Sequence, residues 1–356
     1  MRVLLVVGPA TGGIGAHAAD LARRLAREHE LLVATAPVTA ERFDWAVPVR
    51  AVWPSGGGRL RRWRELRALA RSADLVHAHG HQAGLLSLLA AGRRTPVVVS
   101  WHNAVLVGGA RGRLLALAER VQARRAALVT GASADLVARA RALGAREPQL
   151  APVAAPRAGE PVPDGARERV RGALGLPAGA PLVLTVSRLA PQKRLDVLLE
   201  AARLLGPEVT WLLVGDGDPG VAARLHAGSE GTGVRLLGAR DDVPELLAAA
   251  DVFALTSDWE ARALVVQEAM AAGVPVVATE VGGLPELLEG VGLLVRPGDP
   301  RAVAEAVSQL LEAPSRRAAL AEAARRRAAT FPTAEQVAQA WQVRYARVAR
   351  VRPPLG

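Results

Sequence analysis

No cysteine occurs anywhere in the chain. That excludes a disulfide framework and a thiolate metal site, and it is compatible with a reducing, cytoplasmic setting. Aromatic residues make up only 3% of the sequence. A nucleic-acid binder needs stacking platforms or a reading helix beside its basic charge, so nucleic acid is not an expected partner. No uninterrupted apolar run approaches 18 residues, so no membrane-spanning helix is expected. The opening MRVLLVVGPATGG carries one Arg and a short apolar run ending at Gly8-Pro9, too short for a signal segment and better read as a first buried strand. Lysine is the most selective absence. Among 45 basic residues the only one is Lys193, in SRLAPQKRLD.

What is present points to two domains. A chain of 356 residues, half of them hydrophobic, exceeds one core and can fill two. Charge is uneven: residues 1–157 hold 23 arginines against 10 acidic residues, whereas the remainder is nearly balanced. The basic half favours an anionic substrate or an anionic membrane surface. Short β-rich runs (RVLLVV, LLVAT, DLVHAH, PVVVSWH, LVTGAS) alternate with Ala/Leu/Arg-rich helical patterns, the first over Ala16 to Glu28 and another from about Gln82. This is βαβ alternation with a parallel sheet. A Pro/Gly/Ala-rich passage from Ala151 to Pro181 interrupts it. Alternation restarts with PLVLTVSR, helices over 195–205, 243–250 and 264–272, and the strands TWLLV, VRLLG, DVFALTS, PVVAT and GLLV. We therefore expect residues 1–155 to form an N-terminal Rossmann-like domain and residues 156–334 a second one, with a last helix, about 335–356, crossing back to the first.

Ligands of doubly wound sheets sit beyond the carboxyl ends of the strands. At one such end Arg188 and Lys193 stand just before a helix starting near Leu195. A guanidinium fork, a compact ammonium and a helix N-terminus together suit a diphosphate; taken alone the pair also fits a solvated basic loop. Downstream, DWEARALVVQEAMAAGVPVV sets Glu260 and Glu268 with seven residues between them and a helix beginning near Ala263. Two carboxylates can accept hydrogen bonds from vicinal hydroxyls. Asp216-Gly217-Asp218 reads as a glycine turn rather than a metal-binding pair. His77, His79 and His81 alternate, which on a continuing strand would allow a metal site, but Gly80 ends that strand and no carboxylate or cysteine joins them; no metal is expected. GGGRLRRWRELRALA, with arginines from Arg59 to Arg67, fits an amphipathic helix on anionic lipid or an ordinary helix covering a sheet.

The series GGxxxH at Gly12 to His17, DLVHAHG, PVVVSWHN, SRLAPQKRLDVLLEA, LLVGDG, VRLLG, DVPELLAAADVF and WEARALVVQEAMAAGVPVVATEVGGLPELL resembles, in order and over nearly the whole chain, the retaining glycosyltransferases of family 4. The resemblance implies the GT-B fold: α/β, two Rossmann-like doubly wound domains facing across a cleft. It implies transfer of a hexose-type sugar from a UDP- or GDP-sugar to an acceptor hydroxyl (lipid, natural product or saccharide), with retention and without metal or other cofactor. By that resemblance Arg188 and Lys193 bind the donor diphosphate, Glu268 the ribose, and Glu260 the donor sugar. Beside these, Arg262, Ala263 and Leu264 offer backbone to sugar and phosphate, and Leu237 to Arg240, with Ala239, border the base. Gly12 and Gly13 form a loop over the donor, His102 stands against the transferred sugar, and His17 and His79 lie on the acceptor side. Where the family usually has Gly, and often Pro, after the first Glu, this chain has Ala261 and Ala263. An epimerase of the same architecture or a non-catalytic sugar-nucleotide binder would share many of these contacts.

Overall fold

A computed structural model describes residues 1–155, 157–177 and 179–350. It divides into two compact units, Met1–Pro156 with Pro332–Gly356, and Arg157–Phe331.

In the first unit seven parallel strands, β1 (Arg2–Val7), β2 (Glu30–Thr35), β3 (Val49–Ala51), β4 (Leu75–His79), β5 (Val97–Trp101), β6 (Leu128–Gly131) and β7 (Gln149–Leu150), lie in the order β3-β2-β1-β4-β5-β6-β7. Every residue of β4 and β5 is buried, the burial expected of parallel strands covered by helices on both faces. The order reverses between β1 and β4, which pair through Val3–Leu75 to Val7–His79. The connections from their carboxyl ends leave toward opposite edges of the sheet, the place where doubly wound sheets hold their ligands.

The first helix spans Gly13–Leu25 rather than starting at Ala16, with Gly12 as its N-cap. Glycine's low helix propensity hid that first turn from the sequence pattern. The helix Arg59–Ser72 buries Leu66 and Ala70 and packs on the helix His81–Ala91. Its apolar side thus covers the protein's own core, and Arg59, Arg61, Arg64 and Arg67 form a solvated face. The last described helix, Ala334–Arg350, packs against Gly13–Leu25, buries Trp341 and Tyr345, and pairs Glu335 with Arg24. Residues 351–356 of the expected crossing helix lie outside the described residues.

In the second unit six strands, β8 (Leu182–Val186), β9 (Thr210–Val214), β10 (Val234–Gly238), β11 (Val252–Leu255), β12 (Val276–Thr279) and β13 (Leu293–Val295), run parallel in the order β10-β9-β8-β11-β12-β13. The reversal falls between β8 and β11. Gly215 and Gly217 hold positive φ, and a Cβ on either would run into the backbone carbonyls of Ser187 and Leu189. LLVGDG is therefore the sequence that lets the loop after β9 lie against the loop carrying Arg188. Asp218 is a helix cap, accepting from the N–H groups of Gly220 and Val221, so this segment is a turn and cap.

Candidate active site

In the second unit Arg188, Lys193 and Glu260 lie at the β8/β11 reversal, whereas Ala239 and Arg240 follow the edge strand β10. After β8 the chain makes a single 3-10 turn, Pro191–Lys193, and enters the helix Leu195–Leu205 through Arg194, which holds the left-handed φ of 46°. A non-glycine residue in that region needs outside support. Here the Arg194 guanidinium is anchored on Asp196 and Asp258, and the Thr256 hydroxyl lies 3.0 Å from the carbonyl oxygens of both Lys193 and Arg194.

That support aims Lys193 at Glu260, Nζ to Oε1 at 2.5 Å, in an ion pair with both side chains largely buried. The Ser257 hydroxyl donates to the same carboxylate oxygen at 2.7 Å. The only lysine of the chain is thus held by a carboxylate 67 residues away, while Arg188 is exposed and has no partner among the described residues. The two cations at this strand end are not equivalent: one is paired and rigid, the other free to meet an anion.

The loop that carries Glu260 is fixed from below. Gly283 N–H donates to the Glu260 carbonyl, and Gly282 sits with φ of 53° where a Cβ would collide with that carbonyl. The first glycine of the VGG run, Gly282, is what this close approach requires. Ala261 and Ala263 are buried, and neither has positive φ: among the described non-glycine residues only Ala46 and Arg194 do. Alanine therefore fits this loop without backbone strain. Arg262 turns its guanidinium away, over the ring of Phe331 at 4.8 Å, and burial lowers its pKa. The helix Leu264–Ala272 then begins with Ala263 as N-cap and no capping side chain, so its first N–H groups are available to an anion.

Glu268, in the second turn of that helix, faces a pocket whose walls include Arg157, Glu160, Val162, Pro244 and Leu247. Burial raises its pKa to about 7, with Arg157 opposing and Glu160 adding to the shift. The stretch after Ala155 that reads as linker is therefore also a pocket wall, and Arg157 is held there by the Asp241 carbonyl. Arg240 is exposed and tied to Asp242 by two hydrogen bonds at 2.6 and 2.8 Å, with Ala239 preceding it just beyond β10.

In the first unit the histidines cluster at the β1/β4 reversal. His77 and His79 share a face of β4, and His102 follows β5. His79 Nδ1 lies 3.0 Å from His102 Nε2, the two rings parallel within 7°. His17, on the first helix, packs edge-on against both at centroid distances of 5.9 and 5.7 Å. His77 is fixed at both nitrogens, Nδ1 by Tyr345 Oη at 2.6 Å and Nε2 by Ser100 Oγ at 2.8 Å. Burial, reinforced by neighbouring rings, holds His102 at about 3 and His77 and His79 well below the ordinary range; burial, against the pull of Asp20, brings His17 to about 4. All four are neutral at physiological pH.

His81 leaves this group. Gly80, with φ of 90°, ends the strand, and His81 opens the next helix and meets the Asn103 carbonyl at 2.7 Å. Three histidines on one extended strand are thus not what forms. Among the described residues no group of three or more His, Cys, Asp or Glu side chains is arranged so that it could hold a metal ion. The sequence reading also missed Glu119, fully buried, gripped by Arg139 and 3.7 Å from His81, and Tyr345. A lone acid within GRLLALAERVQARR and the chain's only tyrosine were the available signals.

Two doubly wound parallel domains, each with its notable polar residues at the reversal of strand order, define a GT-B protein. Family models agree: residues 12–156 match "Glycosyl transferase 4-like domain" and residues 180–313 match "Glycosyl transferases group 1". A D-inositol 3-phosphate glycosyltransferase of Kineococcus radiotolerans is 33% identical, covering 75% of this chain and 70% of that protein; one from Xylanimonas cellulosilytica is 35% identical, covering 79% and 73%. Among solved structures, Anabaena HepE in complex with UDP-glucose superposes with a TM-score of 0.86 at 26% identity, over 98% of this chain and all of that one. The chain belongs to glycosyltransferase family 4 and is a glycosyltransferase.

Proposed function

We propose that this enzyme transfers a hexose-type sugar from a UDP- or GDP-sugar to an acceptor hydroxyl, with retention at the anomeric carbon and without a metal ion. The observation that carries the reading is the β8/β11 strand end: a free guanidinium at Arg188, the Lys193–Glu260 pair, and an uncapped helix start at Leu264. As the bond from the anomeric carbon to the phosphate oxygen breaks, negative charge grows on the diphosphate. Arg188 supplies a fork, Lys193 a point charge and the helix N–H groups a partial positive end, the work a divalent cation does elsewhere. Glu260 carries a second duty in this scheme, keeping Lys193 in place while its free oxygen accepts from a sugar hydroxyl. Glu268 takes the ribose hydroxyls. His102 borders the transferred sugar, and the acceptor proton passes to the leaving phosphate oxygen as the new glycosidic bond forms, giving glycoside and nucleoside diphosphate. The relatives named for inositol-phosphate glycosylation and the UDP-glucose complex of HepE support this donor class and this kind of acceptor chemistry.

Thermal-shift measurement with UDP, GDP and ADP, with and without EDTA, tests it. One of the first two should stabilise the protein, and EDTA should make no difference. Arg188→Ala should abolish that shift without lowering the ligand-free melting temperature, because the side chain has no partner to lose. Absence of a shift with every nucleotide would sink the proposal.

A further inference from the structure

The histidine cluster of the first unit contains more than a wall for the site, because its hydrogen-bond bookkeeping closes in only one way. His79 and His102 are joined by a single contact, Nδ1 to Nε2, at 3.0 Å. Both rings are neutral, so one of these nitrogens carries the hydrogen and the other accepts it. The other nitrogen of His79, Nε2, is buried without a partner. Were the His79 proton there, a buried N–H would be left orphaned, which costs more than leaving an acceptor unfilled. The proton therefore belongs on His79 Nδ1, and His79 donates to His102 Nε2. That nitrogen then has no hydrogen of its own, so the proton of His102 sits on Nδ1. This nitrogen has no partner among the described residues, on a ring that is only partly buried.

We propose that His79 is a positioning residue that locks His102 in the Nδ1–H tautomer, so that His102 presents an N–H donor to a hydroxyl oxygen of the substrate rather than a basic lone pair. The orientation is held from both sides. His77 lies against His79 at 4.2 Å between ring centroids and is itself pinned by Tyr345 and Ser100. On the far side His81 holds the carbonyl of Asn103, the residue after His102. His102 is then a hydrogen-bond donor to an oxygen that gains or keeps electron density, and it takes no proton in the reaction. The choice of substrate as the partner of Nδ1 rests on the transferase reading above; the tautomer does not.

Two arms separate the proposal from that reading. Long-range proton–nitrogen NMR on the full chain labelled at histidine nitrogen, near neutral pH and without substrate, should show His79 and His102 both protonated at Nδ1. A proton on His102 Nε2 would overturn the proposal whether or not the protein transfers sugar. In the kinetic arm, the side-chain amide of Asn places its N–H where His Nδ1 stands, and that of Gln where Nε2 stands. His79→Asn should therefore lose less transfer than His79→Gln, and His102→Asn less than His102→Gln, each by about tenfold in kcat. Melting temperatures within each Asn/Gln pair should match. Equal losses in folded Asn and Gln variants would overturn it. The intended tautomer with no transfer from any donor would instead leave the lock standing and remove the transferase reading.

Discussion

The two units share a topology and solve opposite electrostatic problems. At the strand-order reversal of the second unit, charges are kept and paired: Lys193 with Glu260, Arg194 with Asp196 and Asp258, and Arg188 left open. At the matching place in the first unit, three buried titratable rings and a fourth, partly buried one are kept neutral, linked to each other and to hydroxyls. Arginines of the first unit stay outside, as on the helix Arg59–Ser72. Under the proposed function, the same αβ scaffold offers a polyanion a preformed field in one half and a hydroxyl-bearing ligand a neutral, directional surface in the other. Net charge alone would have assigned the roles the other way, since the first half is the basic one.

Acid should break this comparison most visibly. A ring whose folded pKa is lowered takes up a proton on unfolding at any pH between that value and 6.5, so its stability is complete above 6.5 and is lost as the pH falls. For His17, His77 and His79, all buried, the loss can reach about 4 kcal/mol per pH unit, a large share of a domain's stability. Domain-resolved melting between neutral pH and pH 5 should show the first unit failing before the second. Equal sensitivity would mean that the cluster opens to water in solution.

A smaller effect of opposite sign belongs to Glu268. Its folded pKa of about 7 lies above the unfolded value. Its contribution is therefore present at low pH and lost as the pH rises through 7, and Glu268→Gln should stabilise the free protein above that pH by about 1–3 kcal/mol. In the role proposed for Glu268, ribose hydroxyls donate best to the ionised carboxylate, so nucleotide affinity should rise with pH through about 7. In Glu268→Gln that dependence should vanish and affinity fall roughly tenfold, as calorimetric titration would show.

The regular elements were legible in the sequence because they are locally encoded. The helices Leu195–Leu205 and Leu264–Ala272 fall on the residues their apolar spacing marks, and the second sheet follows strand for strand from its β-rich runs, as do five strands of the first; the short edge strands Val49–Ala51 and Gln149–Leu150 carry too few residues to show a pattern. The helix start at Gly13 was not legible, since glycine carries no helical signal. Relations across the chain were illegible for a different reason: Lys193 meets Glu260 over 67 residues and His77 meets Tyr345 over 268, distances that no spacing rule reports. The Arg157–Val162 segment reads as linker because its composition does, yet its place beside Glu268 makes it a wall.

The claim that donor recognition belongs to the second unit is tested most directly by hydrogen–deuterium exchange of the full chain with and without the stabilising nucleotide diphosphate. The account predicts slowed exchange at residues 188–194 and 257–268. Protection confined to the His17, His79 and His102 segments, with the second unit unchanged, would contradict it.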